Sequence, residues 1–349
     1  MSASSTRKPQ ARDSRPGAST PTMRAAVAHR FGGPDAVRVE SVPRPRPQAG
    51  ELLIAVHASD VSVADHRMRS RDLPAGFGLV GPFLLGFRTP RRPVLGMEAA
   101  GVVEEVGAGV TAFRPGDRVV AATGALFGGH AQYARLRADG AVTRVPDGMS
   151  FEDAVALVFG GQTALPFLRR GGVGPGSRVL VNGASGAVGV MAVQLAKHLG
   201  AHVTGVCSGR NLELVRSVGA DDVVDYEVED FTTRGETYDA VLECVGNAPF
   251  RRARRVLRRG GALLVVVGSL GGLLAAPFQR LGTGIRVVAG DLGASADDLA
   301  LLMRLADDGA IRPVVDRTYP LEEVVEAHRY VDTGRKRGTV VLRVRDGAA

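Results

Sequence analysis

Three glycines, Gly183, Gly186 and Gly189, stand in the run VLVNGASGAVGVMAVQLAKHLGAHVTGVC at residues 179–207, behind a β-branched stretch and directly ahead of a helical pattern. Glycines at this spacing let a chain turn tightly and bring backbone amides against a diphosphate. The start of the next helix then adds unpaired N–H groups and the positive end of its dipole. A glycine triplet alone is weak evidence, but the strand before it, the helix after it and a second strand about twenty residues on supply the context that makes it a dinucleotide loop. Gly183, Ser185, Gly186, Ala187, Val188 and Gly189 are therefore expected to cradle the diphosphate. Ser185 is not read as a nucleophile, because GASGA lacks the spacing of a GxSxG elbow. At the end of the second strand, where a loop of this kind that selects NADH carries an acid, the chain reads CSGRN at 207–211. Ser208 can hydrogen-bond a 2′-phosphate and Arg210 can neutralise it, so the expected cofactor is NADPH; the competing role for Arg210 is a cap on the sheet edge.

A second stretch, PVLGMEAAGVV at 93–103, places Glu98 alone in an apolar run between Gly96 and Gly101. A carboxylate buried there must find hydrogen-bond donors. Asp60, Asp65, His66 and Glu98 are the candidates for a metal site, but zinc rarely accepts so many carboxylates, and no metal is expected. The two cysteines, Cys207 and Cys244, cannot build a disulfide framework or a cysteine-rich zinc site. They fit a reducing, cytoplasmic compartment.

The formal charge of +8 comes from 44 basic and 36 acidic residues, and the basic ones are almost all scattered arginines. The densest cluster, RRARRVLRR at 251–259, has helical spacing, with Ala253, Val256 and Leu257 inward and arginines outward. It reads as a solvated helix face, without the interleaved aromatics of a single-strand platform. No nucleic-acid partner is expected. No apolar run has the roughly 20 residues of a membrane-spanning helix.

The elements that must position these residues fall into two rhythms. Residues 1–22 are rich in Ser, Pro and Arg and read as a disordered tail. Residues 23–150 carry short apolar or alternating runs broken by Gly and Pro, the pattern of a β-rich module. Residues 151–310 alternate apolar strands with amphipathic helices, the pattern of a parallel sheet covered on both faces. Residues 311–349 become β-like again around a helix at about 321–331 and are expected to rejoin the first module. The fold class is α/β, in two domains.

In this order, with PVLGMEAAG, RPGDRVV, GGHAQY, GQTAL, LVNGASGAVG and RGTVVL, the chain resembles the medium-chain dehydrogenase/reductase superfamily, and within it the zinc-independent, quinone oxidoreductase-like branch. The resemblance implies a GroES-like catalytic domain beside a Rossmann domain, with the active site in the cleft between them. In the zinc alcohol dehydrogenases of this superfamily a histidine that binds the metal stands where this chain has Met97, and a cysteine ligand is replaced by the neighbourhood of Ser59 and Asp60. Met97 then reads as a core residue filling the space.

The resemblance also suggests roles for single residues. Ser62 stands for an asparagine of the cleft wall, as a substrate contact or as a turn-stabilising hydroxyl. His66 and His130 are candidate proton donors, with an exposed and a packed histidine as the bland alternatives. Thr163, Gly246, Gly268 and Ser269 would lie near the nicotinamide, and Tyr226 and Arg335 near the adenosine phosphate. The apolar, basic loop 67–93 reads as a lid over a hydrophobic small-molecule substrate or as a partner or membrane-surface contact. The strand ALLVVVG, placed at the sheet edge, would pair across a two-fold axis into a homodimer. Without a Lewis acid, hydride transfer from NADPH favours an acceptor that is already electron-poor: a quinone, enone or enoyl group. The alternatives are an NADPH-binding sensor or structural protein without turnover and a metal-free alcohol dehydrogenase or pathway-specific biosynthetic enzyme.

Overall fold

The computed structural model describes residues 21–73, 75–78, 81–124, 127–268, 270–290 and 293–345. Most of the expected tail lies outside these residues, but Thr22 already pairs with Pro43, so ordered chain starts ahead of the expected boundary. Strands β1 (Thr22–Ala28) and β2 (Val37–Pro43) form an antiparallel pair. β3 (Glu51–Val61) leads into the short helix α1 (Val63–Ser70), then α2 (Gly81–Leu85). β4 (Glu98–Val106), β5 (Arg118–Ala122), β6 (Tyr133–Arg137) and β7 (Val142–Arg144) complete a mostly antiparallel sheet around β3. Gly101 has a steric reason to be glycine: a Cβ there would stand 2.0 Å from the Ala55 carbonyl of β3.

The helix α3 (Phe151–Gly171) starts under a Ser150 cap whose hydroxyl accepts from Asp153 N–H, and ends on Gly172 at φ 71°. Then follow β8 (Arg178–Asn182), α4 (Ala187–His198), β9 (His202–Cys207), α5 (Leu212–Ser217), β10 (Asp222–Asp225), β11 (Tyr238–Glu243), α6 (Phe250–Ala253), β12 (Leu257–Val265), α7 (Leu270–Thr283), β13 (Arg286–Ala289) and α8 (Ala296–Asp307). The six strands are parallel, in the order β10-β9-β8-β11-β12-β13. This is a doubly wound sheet whose order reverses between β8 and β11, where a ligand crevice opens at the strand ends.

Two expectations change here. The arginine cluster is not one helix, because α6 stops at Ala253 and Leu257 already begins β12; Ala253, Val256 and Leu257 are buried as expected, but on the end of α6, the bend after it and the start of a strand. The strand ALLVVVG lies in β12, between β11 and β13, so the edge belongs to β13.

The chain end returns as β14 (Val315–Pro320), α9 (Val324–Asp332) and β15 (Thr339–Arg343), and β15 pairs antiparallel with β3. α3 ties the two sheets together, its apolar residues sharing one buried cluster with Ala58, Ala100 and Val120 on one side and Val179, Val181 and Leu264 on the other.

Candidate functional site

The glycine turn performs three separate tasks. Gly183 sits at φ 85°, a region that ordinary side chains avoid. Gly189 packs α4 against the turn, since a Cβ there would meet the Gly183 carbonyl at 2.1 Å. Gly186 has open space on its Cβ side, with the Gly183 carbonyl 3.7 Å away, and it begins α4 with no side chain capping the helix start. A tight turn, close helix packing and an uncapped amide end open to a ligand are what a diphosphate needs.

Around this turn lies a cleft of about 520 Å³. Of the expected residues it gathers Gly183, Ser185, Gly186, Ala187, Val188, Gly189, Ser208, Arg210, Tyr226 and Arg335. It also contains Asn182, Asn211, Asn247, Arg67 and Lys336, which sequence reasoning passed over. Asn211 donates from Nδ2 to Ser185 Oγ (3.1 Å) and Ser208 Oγ (3.2 Å), tying the glycine turn to the end of β9. Asn182 donates to Glu243 Oε2 (2.8 Å) and Asn247 Oδ1 (2.7 Å). The buried Glu243 carboxylate accepts the N–H groups of Val245, Gly246 and Ala248, which shapes the wall beyond β11. Arg67, Arg210, Arg335 and Lys336 line the cleft, and no carboxylate does so among the described residues.

The C-terminal segment closes the other side. Gly338 N–H donates to the Ser185 carbonyl (2.8 Å), and Lys336 Nζ donates to the Gly338 carbonyl (2.6 Å). Both cysteines border the cleft. Burial pushes the Cys207 thiol up to about 11, and burial beside Glu243 pushes the Cys244 thiol up further. Neither is a thiolate nucleophile at neutral pH.

Other expected residues lie elsewhere. Ser62 is buried and caps α1: its backbone N–H and its hydroxyl both donate to Asp65 Oδ2 (3.0 and 2.9 Å), the turn-stabilising alternative. His66 Nδ1 pairs with Asp332 at 2.7 Å, beside the buried Arg69, which grips the same carboxylate through two bonds. His130 is fully buried, and its Nε2–H donates to the Asp60 carbonyl at 2.7 Å. None of these three lines the cleft. Thr163 Oγ1 is turned back onto the Phe159 carbonyl (2.7 Å), while Phe159 itself reaches the cleft wall. Gly246 and Gly268 line a neighbouring cavity of about 590 Å³ between α6 and α7, and Val267 borders both spaces. Ser269 falls outside the described residues. In the expected lid 67–93, Arg67 lines the cleft, while Phe83 and Phe87, which pack edge to face at 5.2 Å and are largely exposed, are not among its lining residues.

The residues at the family's metal position do not fit a zinc ion. Ser59 Oγ donates to the Glu98 carbonyl (2.5 Å), Asp65 is committed to the Ser62 cap and to Gly96 N–H (3.1 Å), and the Asp60 and Glu98 carboxyls are buried, which raises both above the usual carboxylate range and disfavours the ionised form a metal needs. Met97 adds only a thioether, a poor ligand for Zn²⁺.

A GroES-like β module joined to a doubly wound sheet, with a dinucleotide turn facing the crevice between them, defines a two-domain nicotinamide-dependent oxidoreductase. Residues 48–147 match the alcohol dehydrogenase GroES-like domain, and residues 218–342 match the family described as zinc-binding dehydrogenase. The chain is 30% identical over 324 residues to the chloroplast envelope quinone oxidoreductase homolog of Arabidopsis thaliana, covering 89% of this chain and 95% of that one. It is 33% identical over 328 residues to a mitochondrial NAD(P)H oxidoreductase of Mus musculus, covering 84% of this chain and 82% of that one. The quinone oxidoreductase structure from Coxiella burnetii superposes with a TM-score of 0.84 at 28% identity, over 93% of this chain and all of that one. The chain belongs to the medium-chain dehydrogenase/reductase superfamily, among its quinone oxidoreductase-like members.

Proposed function

We propose that the protein is a metal-independent reductase that takes NADPH and reduces a conjugated or quinone-type acceptor. The observation that carries the cofactor choice is the charge of the cleft: four cations and no carboxylate among its described lining residues, with Ser208 and Arg210 at the end of β9. A ribose bearing a 2′-phosphate fits that end; a ribose with a free 2′-hydroxyl finds no acid to hold it.

In this reading the turn at Gly183–Gly189 holds the diphosphate, Asn211 fixes the turn to β9, and Arg210 and Arg335 neutralise the phosphates. Bound NADPH supplies a hydride. The chain's own part is to exclude water with Phe159, Val63 and Val331, and to orient the acceptor. With the zinc position committed to other bonds, an isolated alcohol or ketone finds no Lewis acid, and a conjugated acceptor that needs none is the fitting substrate. A hydrophobic small molecule is the expected class, in a homodimer paired along β13.

A second reading, NADPH binding without turnover, is favoured by one fact: none of Ser62, His66 and His130 reaches the cleft to deliver a proton. The decisive experiment follows NADPH consumption by metal-stripped protein with quinones, enones, enoyl thioesters, aldehydes and ketones, and with NADH alongside. The expected result is saturable turnover of the conjugated acceptors with NADPH preferred. Binding with no turnover supports the second reading, and activity that returns only with added zinc overturns the metal-independent one.

A further inference from the structure

The cavity of about 590 Å³ between α6 and α7 takes no part in the proposed reaction. It lies on the side of the parallel sheet away from α3 and α4. Along β12, Leu264 packs into the cluster shared with α3, while Leu263 and Val265 pack into the opposite cluster with Phe250 and Val287. Leu263, Val265 and Val287 form the floor of the cavity, and Phe250 stands at its α6 side. The loop after β11 is the wall between the two spaces: Glu243, Gly246 and Ala248 border the cavity, whereas Cys244, Val245 and Asn247 border the dinucleotide cleft. A sheet face is normally closed by helix side chains. Here Val265 and Val287 are only partly buried, and the described residues that α7 brings to the cavity are Gly272 and Gln279. The space left is of the size that holds a small organic molecule.

The rim carries charge of one sign. The one acid among the described lining residues, Glu243, is committed to four donors, the N–H groups of Val245 (2.7 Å), Gly246 (2.7 Å) and Ala248 (2.9 Å) and Nδ2 of Asn182 (2.8 Å). Arg251 and Arg254, exposed and about one helical turn apart, border the cavity. Their guanidinium groups make no hydrogen bond or ion pair among the described residues. Other members of the same arginine run are taken: Arg252 donates to the Asn247 carbonyl (3.2 Å) and to Asp230 (3.1 Å), and Arg258 to Asp239 (3.0 Å). An apolar hollow with two uncommitted cations at its rim, and an acid already satisfied, is complementary to an apolar body that ends in an anion.

We propose that this cavity is a second ligand site, for a carboxylate with an apolar body such as a medium-chain fatty acid. The chain of the ligand lies on Leu263, Val265 and Val287, beside Phe250, and its carboxylate is held at the rim by Arg251 and Arg254. The site goes beyond the reductase reading and does not depend on it. Because the loop after β11 separates the two spaces, the ligand binds alongside a dinucleotide and not in its place.

The test is calorimetric titration of the full chain with decanoate and with decanol, below the concentrations at which they aggregate, with and without saturating NADPH. It is run on wild type, the double variant Arg251→Gln/Arg254→Gln and Val265→Phe, with a melting curve and a light-scattering mass for each. Wild type is expected to take up a single decanoate per chain, with or without NADPH, and to hold it about tenfold or more tighter than decanol, the scale of one charged hydrogen bond. The double variant, changed only at exposed side chains, is expected to bind acid and alcohol alike. Val265→Phe fills the floor and loses both; if it does not fold, the double variant decides. No uptake of decanoate by wild type, equal affinity for acid and alcohol, an acid preference that survives in the double variant, or unchanged uptake in a folded Val265→Phe overturns the proposal. Absent uptake combined with a dimer mass that falls in Val265→Phe overturns it too, and makes a second copy of the chain the occupant. Displacement of decanoate by NADPH places it in the dinucleotide cleft and overturns the second site, whereas wild type that takes up decanoate but no dinucleotide keeps the site and overturns the reductase reading.

Discussion

Arg210 borders the end of β9 where a dinucleotide ribose would lie, and its guanidinium makes no ion pair among the described residues. A charge-assisted bond to a phosphate is worth about 1.5–3 kcal/mol, or roughly 10- to 150-fold in binding. Arg210→Ala is therefore expected to raise KM for NADPH by about that factor and to leave KM for NADH nearly unchanged, measured by initial rates with each cofactor. His328 makes a different prediction. It is fully buried, both ring nitrogens lack partners among the described residues, and burial followed by the charges of His130, Arg69 and His66 holds its pKa well below the usual value. The unfolded chain takes up a proton there below about pH 6.5 and the folded chain does not, so stability falls as pH drops through that range. His328→Phe is expected to flatten the fall in melting temperature between pH 7 and 5; an unchanged slope would mean that the acid sensitivity lies elsewhere.

At the scale of elements, the cleft depends on the crossing of α3 and α4. A Cβ on Gly160 would stand 2.2 Å from the Ala187 carbonyl and 2.7 Å from Met191 Cγ. Because the first of these is backbone, a side chain at Gly160 forces the helices apart, and overpacking of this kind costs about 1–3 kcal/mol. Gly160→Val is expected to lower the urea midpoint and, by shifting Phe159 and Ala187, to weaken NADPH binding; a destabilised variant with wild-type affinity would show that the crossing does not set the cleft.

The contrast between this crossing and the glycine turn marks what the sequence made legible. Gly183, Gly186 and Gly189 could be read because strand, turn and helix are local, and the class of fold followed from the same periodicity. Asn211, Asn247 and Lys336 could not be read, since they reach the cleft through tertiary bonds such as Asn211 to Ser185 and Gly338 to Ser185. The arginine cluster misled for a related reason: its apolar positions are buried, yet Leu257 is drawn into β12 by pairing with Tyr238. His130 and Ser62 were candidates through the family resemblance alone, and a core packing site and a helix cap claim their side chains.

At the scale of the molecule, the parallel sheet ends at β13, Arg286–Ala289, whose partner among the described residues is β12. An edge strand presents unpaired N–H and C=O groups, and proteins usually blunt such an edge with charge, proline or a covering segment. β13 has one arginine at its start, followed by Val287, Val288 and Ala289, all only partly buried. A two-fold axis beside β13 would pair it antiparallel with its own copy, extend two six-stranded sheets into one of twelve, and satisfy both edges with an isologous contact. The expected particle in solution is therefore twice the 36.5 kDa chain, measured by light scattering after gel filtration. Val288→Pro removes a ladder donor at the middle of the edge and is expected to shift the mass to that of one chain while the cleft, on β8, β9 and β11, keeps its affinity for NADPH. A wild-type mass of one chain, or a dimer that Val288→Pro leaves intact, would remove β13 from the interface.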